Sequence, residues 1–471
     1  MRQIPSLELA RILGARHTVG CSRPSLQLPC PPISIDTRTM LYGQWYVAIA
    51  GDRFDGHDFV PDALGKGAPV IVHSQTIDCA SQWEDRLFLQ VDDTRRALRC
   101  LARLAREQWG KAIIAVTGSM GKTTTRQFAS TLLEQEFSVF QSPGNWNNEI
   151  GVPLSLMRLT EEHDVGLFEL AMSHPGEIGL LAATCAPDAA LITNVAEVHL
   201  EFFSDLDELA EAKGEMLGHL HSAGTFVFNL DDPRVSNLAE RHSGKCVSFG
   251  FSSLADVRVA HCVIESLSSM QLTLEIQGEP VRSKVPFAGR HFAYNVAAAA
   301  ALGLTYGLSA EQIRKGLKAL KAFPMRGAIL RLGGSEPVTV WDDSYNSNPR
   351  SVESVLETIR DLKGFRSKIL VLGEMLELGS ESPELHRQVG RVLTSTGAAL
   401  LVAVGEGARW LVEGAQEAGF GDDRTSYFGD ACGAAQFLTG QVRAGDLVLV
   451  KGSRGVRMDR IIRKLKEAFP T

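Results

Sequence analysis

Between residues 112 and 137 an apolar segment, a glycine-rich loop and a helical segment follow one another. Ala112–Val116 is continuously apolar, as strands buried inside a parallel sheet are. The loop Thr117–Gly121 lets the backbone turn sharply, and Thr123–Phe137 has the apolar periodicity of a helix. We therefore predict a strand–loop–helix unit, the repeating element of an α/β sheet that carries helices on its faces.

The residue types in this loop predict an anion site. Its glycines let backbone N–H groups face a phosphate, and the following helix adds its positive N-terminus. Lys122 supplies a cation for the β- and γ-phosphates, and the Thr123 hydroxyl can hold Mg²⁺. The loop is shorter than G-x-x-x-x-G-K-[ST], because Val116 stands five residues before Gly121. The alternative is a glycine-rich turn with an accidental Lys-Thr pair. The predicted nucleotide-binding residues here are Gly118, Ser119, Met120, Gly121, Lys122, Thr123 and Thr124.

Apolar strand-like runs alternate with helical segments along most of the chain. They include Val165–Leu170, Ala189–Thr193, Phe226–Asn229, Val338–Trp341, Ser367–Leu372, Ala399–Val404 and Asp446–Val450. This alternation predicts a three-domain α/β protein with a central, doubly wound, mostly parallel sheet and a C-terminal Rossmann-like domain. The predicted domains are a small N-terminal α/β domain over 1–108, a central domain over 109–325 and a C-terminal domain over 326–471. Val257–Val285 is interpreted as a small antiparallel insertion or sheet edge.

Composition excludes several classes of protein. The formal net charge of −7 argues against binding to nucleic acid or to a membrane surface, both of which need a large basic field. No apolar run approaches the ~20 residues of a membrane-spanning helix. The eight cysteines form no C-x-x-C pair, so we expect reduced thiols in the cytoplasm.

Three further side chains are candidates for metal chemistry. Glu169 directly follows a predicted strand, at the edge where doubly wound sheets bind their ligands, and a carboxylate suits Mg²⁺. A surface glutamate is the alternative. Taken alone, His199 is typical of a packing histidine and Lys213 of a solvated helical lysine. The fragment Gly405-Glu-Gly407 matches a dinucleotide-binding pattern only weakly, because Trp410 stands where a glycine is required.

Taken in order, several segments resemble the ATP-dependent Mur ligases of peptidoglycan synthesis. They are Thr117–Thr124, Gly144–Pro153, Glu169 with His174–Ile178, Asn194–Glu201, Ala212–Glu215, Asn229–Asp232, Gly289–Asn295, Asp342–Pro349 and Lys451–Arg454. Ser34–Arg38 and Asp55–Asp58 resemble the uridine-binding domain of one branch. Within the family, the members that add a third residue carry a Tyr-Ala-His-type segment after the Asp and, elsewhere, a diaminopimelate-reading Asp-Asn-Pro-Arg. This chain has Ser344–Pro349 in place of the first and contains no Asp-Asn-Pro-Arg. The resemblance therefore favours the members that add a dipeptide.

The resemblance implies an ATP-dependent, amide-forming ligase of peptidoglycan precursor synthesis that is cytoplasmic and monomeric. The γ-phosphoryl group of ATP would pass to the terminal carboxylate of UDP-N-acetylmuramoyl-tripeptide, and the amine of D-alanyl-D-alanine would attack the acyl phosphate. Lys122, Glu169, His199 and Lys213 would be catalytic. Two Mg²⁺ ions would be held by Thr123, Glu169, His199 and a carbamylated Lys213. Further ATP contacts would come from His291, Asn295, Arg326 and Asp343. Substrate contacts would come from Thr37, Arg38, Gly56, His57, Asn147, Asn148, Asn346 and Ser453.

Other functions remain open at this stage. One alternative is the family member that adds diaminopimelate or lysine as the third residue. Another is a ligase resembling folylpolyglutamate synthase, against which the uridine-type motifs argue. A third is a non-catalytic module that binds a nucleotide without turnover. His386 is interpreted as a structural residue.

Overall fold

The computed structural model of the protein describes residues 3–4, 6–19, 26–27, 33–51, 53–77, 83, 85–198 and 200–470. His199, which the sequence analysis predicts to be catalytic, lies outside the described residues. Cys21, Cys30 and Cys79 also lie outside them.

The N-terminal part of the chain forms a small sheet flanked by helices. Its described strands are β1 (Gln3–Ile4), β2 (His17–Val19), β3 (Leu26–Gln27), β4 (Ile33–Ser34), β5 (Trp45–Val47), β6 (Val70–His73) and β7 (Leu87–Gln90), and its helices are α1 (Ser6–Leu13), α2 (Val60–Gly65) and α3 (Thr94–Trp109). Five strands pair in the order β2-β7-β6-β5-β4, in which only β2 runs antiparallel to its neighbour. Tyr46, Ile71 and Phe88 pack in a buried core with residues of α2.

The middle of the chain contains the predicted strand–loop–helix unit. Its strands are β8 (Ala112–Thr117), β9 (Val139–Gln141), β10 (Val165–Glu169), β11 (Ala189–Ile192), β12 (Thr225–Asn229), β13 (Lys245–Gly250), β14 (Val257–Ser266), β15 (Ser269–Ile276) and β16 (Glu279–Val285). Its helices are α4 (Lys122–Leu133), α5 (Gly151–Leu156), α6 (Glu177–Cys185), α7 (Leu206–Gly214), α8 (Pro233–Arg241), α9 (Arg290–Thr305) and α10 (Ala310–Ala319).

These strands belong to a nine-stranded sheet in the order β16-β15-β14-β13-β12-β11-β8-β10-β9. Strand β10 pairs in parallel with both β8 and β9, and its last residue, Glu169, lies opposite Val116. At the other edge β14, β15 and β16 are antiparallel, which confirms the predicted antiparallel edge. The register therefore ends β10 close to where β8 enters the glycine-rich loop.

The C-terminal part is a second α/β sheet. Its strands are β17 (Ala328–Leu332), β18 (Val338–Asp343), β19 (Lys368–Gly373), β20 (Leu400–Val404), β21 (Thr425–Phe428) and β22 (Leu447–Lys451), and its helices are α11 (Pro349–Asp361), α12 (Ser382–Val392), α13 (Arg409–Glu417), α14 (Ala431–Gln441) and α15 (Asp459–Ala468). The order is β17-β18-β22-β19-β20-β21, and only β17 is antiparallel. Alternate residues of β19 enter two separate buried cores: Leu370 and Leu372 face one, and Ile369 and Val371 the other. The predicted mixed α/β fold, with three largely parallel sheets, is confirmed.

Contacts within the described residues divide the chain into two compact units. One comprises 1–117, 137–191 and 212–226, and the other comprises 118–136, 192–211 and 227–471. The three-domain boundaries inferred from the sequence stay a prediction.

Gly56 offers a test of the N-terminal packing, because a Cβ there would lie 2.6 Å from the backbone nitrogen of Ile49 and 2.9 Å from its carbonyl oxygen. Backbone cannot move aside as a flexible side chain can. We expect Gly56→Ala to lower the free energy of unfolding by about 1–3 kcal/mol, as overpacking does. Urea unfolding measures the loss. The control is Gly65→Ala at the end of α2, where a Cβ meets nothing within 4 Å. Equal stability of the two variants would contradict the packing described.

Candidate active site

Two glycines shape the loop between β8 and α4. Gly118 has φ of +139° and Gly121, the N-cap of α4, has φ of +79°. A Cβ at Gly118 would collide with the hydroxyl of Thr193, and a Cβ at Gly121 would collide with the side-chain oxygen of Asn295. Both the backbone conformation and the close neighbours therefore require glycine at these positions.

The loop is braced by the residues that follow β11. The amide of Ser119 donates to the carbonyl of Asn194 at 2.9 Å, and the amide of Met120 donates to the Asn194 side-chain oxygen at 3.0 Å. The Thr193 hydroxyl donates to the carbonyl of Met120 at 2.5 Å. These contacts use the amides of Ser119 and Met120 to hold the loop. The N–H groups of the first turn of α4 are the donors that we expect a bound anion to meet.

Lys122 places its charge over this loop. It is half-buried at the first position of α4, and its Nζ donates to the carbonyl of Gly118 at 2.7 Å. The carbonyl of Ser119 lies 3.4 Å from the same nitrogen. A cation folded back onto the loop sits beside the N-terminus of the helix, so the two positive contributions add.

Helix α4 is tied to α9, which carries Asn295. The Thr125 hydroxyl donates to the Asn295 side-chain oxygen at 3.3 Å, and Asn295 is buried. Behind them, the rings of Phe128 and Phe287 stack with their centroids 4.9 Å apart, and Phe292 packs against Phe287 at the same distance. The structure thus brings Asn295, a predicted adenine contact, to the glycine-rich loop.

Glu169 is buried at the end of β10, where its carboxylate accepts a hydrogen bond from the side-chain amide of Asn147 at 2.9 Å. The carbonyl of Asn147 in turn accepts from the amide of Ala171 at 2.9 Å. Glu169 and Asn147, which the sequence predicted separately as a metal ligand and a substrate contact, are therefore held together. Asn148, by contrast, is exposed, and its side-chain oxygen accepts from the amide of Gly151 at the start of α5, 2.9 Å away. Its predicted substrate contact stays a prediction.

Lys213 lies near the end of α7 with only 2% of its surface exposed. The sequence alone favoured a solvated lysine, and that interpretation is wrong. Glu215, two residues on, was not singled out from the sequence. Its carboxylate accepts the amide of Gly176 at 2.8 Å and that of Gly179 at 2.9 Å, at the start of α6. This carboxylate fastens the segment that follows Lys213 to the N-terminus of α6, where a negative charge is favourable.

His57, a predicted substrate residue, is buried and has both ring nitrogens engaged. Its Nε2 accepts the amide of Ser74 at 2.9 Å, and its Nδ1 lies 2.5 Å from the Asp55 carboxylate. Because Nε2 accepts, the neutral ring must carry its proton on Nδ1 and donate it to Asp55. The backbone amide of His57 also donates to this carboxylate at 2.9 Å; it is the main cause of the lowered pKa of Asp55, and the ring contact adds to it. These contacts give His57 a role in holding the N-terminal sheet.

Thr37 and Arg38 differ in exposure. Thr37 is buried, and its carbonyl accepts a hydrogen bond from Nζ of Lys66 at 2.5 Å. Arg38 is exposed and pairs with Asp36 through Nη2 at 2.7 Å, which holds the pKa of that carboxyl below its usual range. Of the four N-terminal candidates, Arg38 is thus the one whose cationic side chain is presented to solvent.

The carboxyl ends of β18 and β22 share a buried ion pair. Nζ of Lys451 lies 2.6 Å from the Asp343 carboxylate and 3.0 Å from the carbonyl of Asn346. Nearby, the guanidinium of Arg326 stacks over the ring of Tyr345 at 3.8 Å. The structure therefore brings Asp343 and Asn346 together through Lys451, a residue that the sequence analysis quoted in a motif but assigned no role.

His291, at the start of α9, lies 3.0 Å from the hydroxyl of Ser354 on α11. Desolvation, opposed by the charge of Asp343 and assisted by that of Lys451, lowers the pKa of His291 to about 4. The ring is neutral at physiological pH, which suits a hydrogen bond to an uncharged base.

Among the described residues, no three His, Cys, Asp or Glu side chains gather closely enough to hold a metal ion on their own. Within the same residues, no helix combines the length and the apolar character needed to cross a membrane.

A phosphate-loop α/β enzyme is the class that this fold and site define, and comparison with known proteins places the chain more narrowly. Residues 32–106 match the Mur ligase family catalytic domain, 116–303 the Mur ligase middle domain, and 329–454 the Mur ligase glutamate ligase domain. The UDP-N-acetylmuramoyl-tripeptide–D-alanyl-D-alanine ligase of Escherichia coli is 33% identical over 92% of this chain and 93% of its own.

Solved structures agree. The crystal structure of MurF from Acinetobacter baumannii superposes with a TM-score of 0.88 at 28% identity over 99% of both chains. The MurF ligase of Thermotoga maritima in complex with ADP gives a TM-score of 0.83 at 28% identity, over 93% of this chain and 97% of its own. The chain belongs to the Mur ligase family, which confirms the resemblance found in its motifs.

Removing the Glu215 carboxylate tests its contribution to the site. Glu215→Gln keeps one acceptor oxygen but loses the charge and one of the two backbone contacts. We expect the free energy of unfolding to fall by about 1–3 kcal/mol, the range for a charge-assisted hydrogen bond. Thermal and urea unfolding measure the loss. Glu240→Gln, an exposed change on α8, is the control. If both variants unfold alike, Glu215 does not fasten the segment after Lys213.

Proposed function

We propose that this chain joins D-alanyl-D-alanine to the tripeptide carboxylate of UDP-N-acetylmuramoyl-tripeptide at the expense of ATP. The observation that carries the proposal is the braced glycine loop with Lys122 over it. The chain that carries this loop matches, over 92% of its length, the Escherichia coli ligase that is named for this reaction. The ADP complex of the Thermotoga maritima relative supports ATP as the phosphoryl donor.

Direct attack of an amine on a carboxylate would have to expel an oxide or hydroxide ion, which is a poor leaving group. The reaction avoids this by first converting the carboxylate to an acyl phosphate. A carboxylate oxygen of the tripeptide attacks the γ-phosphorus of ATP, and the bond from that phosphorus to ADP breaks. The amine of the dipeptide then attacks the acyl carbon, the bond to phosphate breaks, and the nitrogen loses a proton. Negative charge gathers on the transferring group, so Lys122 and the amides of the first turn of α4 would stabilise it by fixed electrostatics.

Mg²⁺, when bound, would neutralise charge on the phosphate oxygens. Mg²⁺ is usually held by one or two carboxylates together with phosphates and water, which agrees with the absence of a three-ligand cluster among the described residues. Glu169, a buried carboxylate oriented by Asn147, fits such a site, and the Thr123 hydroxyl is the second protein ligand we propose. His199 is retained as a ligand from the family resemblance alone.

We also propose that Lys213 is carbamylated. A neutral lysine amine adds CO₂ and releases a proton, which replaces a cation by a carboxylate. The burial of Lys213 supports a role inside the site rather than at a solvated surface. The resulting oxygens would be hard ligands for a second Mg²⁺.

Lys213→Ala should therefore lose most of its activity, by about 10²-fold or more, since fixed charge at a phosphoryl-transfer site carries much of the catalysis. Added formate or acetate should restore part of it by supplying the missing carboxylate. Turnover with and without these anions measures both effects. Lys245→Ala removes an exposed lysine and should behave as the wild type with and without the anions. Full activity of Lys213→Ala would exclude the role.

The remaining assignments follow the division into domains of 1–108, 109–325 and 326–471, which the matched ranges 32–106, 116–303 and 329–454 support. The N-terminal domain would hold the UDP end, with Arg38 as the exposed cation. The C-terminal domain would receive the dipeptide near Asn346 and Ser453 and contact ATP through Arg326 and Asp343. A cytoplasmic, monomeric enzyme stays part of the proposal.

Phosphate release from ATP tests the activity directly. We expect sustained release only when UDP-N-acetylmuramoyl-tripeptide and D-alanyl-D-alanine are both present, with a new amide product by mass spectrometry. Tripeptides ending in diaminopimelate and in lysine should both be offered. Release with the free third residue and the shorter nucleotide substrate would instead identify the enzyme of the preceding step. Nucleotide binding without release would identify a non-catalytic module.

A further inference from the structure

Three loops meet at the carboxyl edge of the C-terminal sheet. Glu374 directly follows β19, the segment 405–407 follows β20, and Ser453 lies two residues after β22. These strands are parallel, with β19 between β22 and β20, so their carboxyl ends lie side by side. Open α/β sheets bind their ligands at this edge.

The Glu374 side chain lies against the two glycines of segment 405–407. A Cβ at Gly407 would lie 2.6 Å from its Oε1, and a Cβ at Gly405 would lie 3.0 Å from its Oε2. Glycine at both positions leaves room for the carboxylate beside the segment that leads into α13. The carboxylate is half-buried, and among the described residues no cation or N–H group is paired with it.

The backbone on either side of this carboxylate is fixed. The amide of Met375 donates to Nε2 of His386 at 3.0 Å, and the Nδ1–H of His386 donates to the carbonyl of Ser382 at 2.6 Å. Burial lowers the pKa of His386, so the ring stays neutral and keeps accepting. The Ser453 hydroxyl accepts the amide of Leu376 at 2.9 Å. The backbone of the loop that carries this carboxylate is therefore fixed before any ligand arrives.

We propose that Glu374 determines specificity for the acceptor by binding the ammonium group of the incoming dipeptide. This inference rests on the proposed function and names the contact that recognises its second substrate. A half-buried carboxylate on a fixed loop, without a protein cation, is the natural partner of a primary ammonium ion. It also repels the dipeptide's own carboxylate, so the substrate is bound with its amine end inward. The ammonium must lose its proton before the nitrogen attacks, so this contact serves capture and orientation.

The test separates the second substrate from the first half of the reaction. For Glu374→Gln we expect the KM for D-alanyl-D-alanine to rise about 10- to 100-fold, as loss of a charged hydrogen-bond partner does. The KM values for ATP and for the UDP-tripeptide should stay within about twofold, because Glu374 would not contact either of these substrates. Trapping of the acyl phosphate by hydroxylamine, without dipeptide, should match the wild type. Glu381→Gln, an exposed carboxylate later in the same connection, is the control.

Three further measurements exclude a merely structural role. The acetylated dipeptide carries no ammonium group, so its inhibition constant should be the same for the wild type and Glu374→Gln. Glu374→Asp, which keeps the charge, should recover part of the affinity for the free dipeptide. Gly407→Ala, which would crowd the carboxylate without removing it, should raise the same KM.

An unchanged KM for the dipeptide in Glu374→Gln would overturn the inference, as would an equal loss of affinity for the acetylated dipeptide. If Glu374→Gln does not fold, Gly407→Ala and Glu374→Asp decide in its place. Failure of the wild type to turn over with the dipeptide would instead refute the proposed function, so the two failures are distinguishable.

Discussion

The amide hydrogen bonds from Ser119 and Met120 to Asn194 are the constraint on which the phosphate loop depends. They link a turn after β8 to a turn after β11, 74 residues later in the chain. Without such hydrogen bonds a glycine-rich loop would be flexible, because glycine has more conformational freedom to lose on folding than other residues. The hydrogen bonds of these two loop amides to Asn194 fix the loop, so the first turn of α4 is the part of the site that we expect to face an anion.

Backbone amides are also held by side chains elsewhere in the structure, where buried or half-buried carboxylates accept them. Glu215 takes two amides at the start of α6, and Asp232 caps α8 while also accepting the amide of Val195. Each carboxylate takes the amides at a helix N-terminus that a ligand anion would otherwise use. The start of α4 has no such carboxylate at its cap, since glycine stands there. The predicted anion site at α4 is therefore distinguished both by Lys122 and by a helix N-terminus that has no side-chain cap.

Much of this architecture could be predicted from the sequence, because strand and helix signals are local. The run Ala112–Val116 became β8 almost unchanged, and the antiparallel hairpins within Val257–Val285 form as expected. The short strands β9 and β13 escaped prediction. Val139–Gln141 has only three residues, all partly exposed, and Lys245–Gly250 begins with two residues that are not buried. Strands of that kind carry too little apolar pattern to be told from a loop.

The sequence predicted which residue types form the site, but it did not predict the contacts that these residues make. Lys122, Glu169 and Asn295 follow from motifs, whereas Lys213 becomes meaningful only through its burial, and Glu215 only through amides 36 and 39 residues away. Glu374 extends this argument. Its neighbours in sequence are ordinary, and its distinction comes from the two glycines of segment 405–407, after β20, and from His386 and Ser453, which hold its loop. A carboxylate on a loop whose backbone is fixed, yet without a paired cation or amide among the described residues, differs physically from Glu215 and Asp232. Its charge is directed at a ligand rather than at the protein's own backbone.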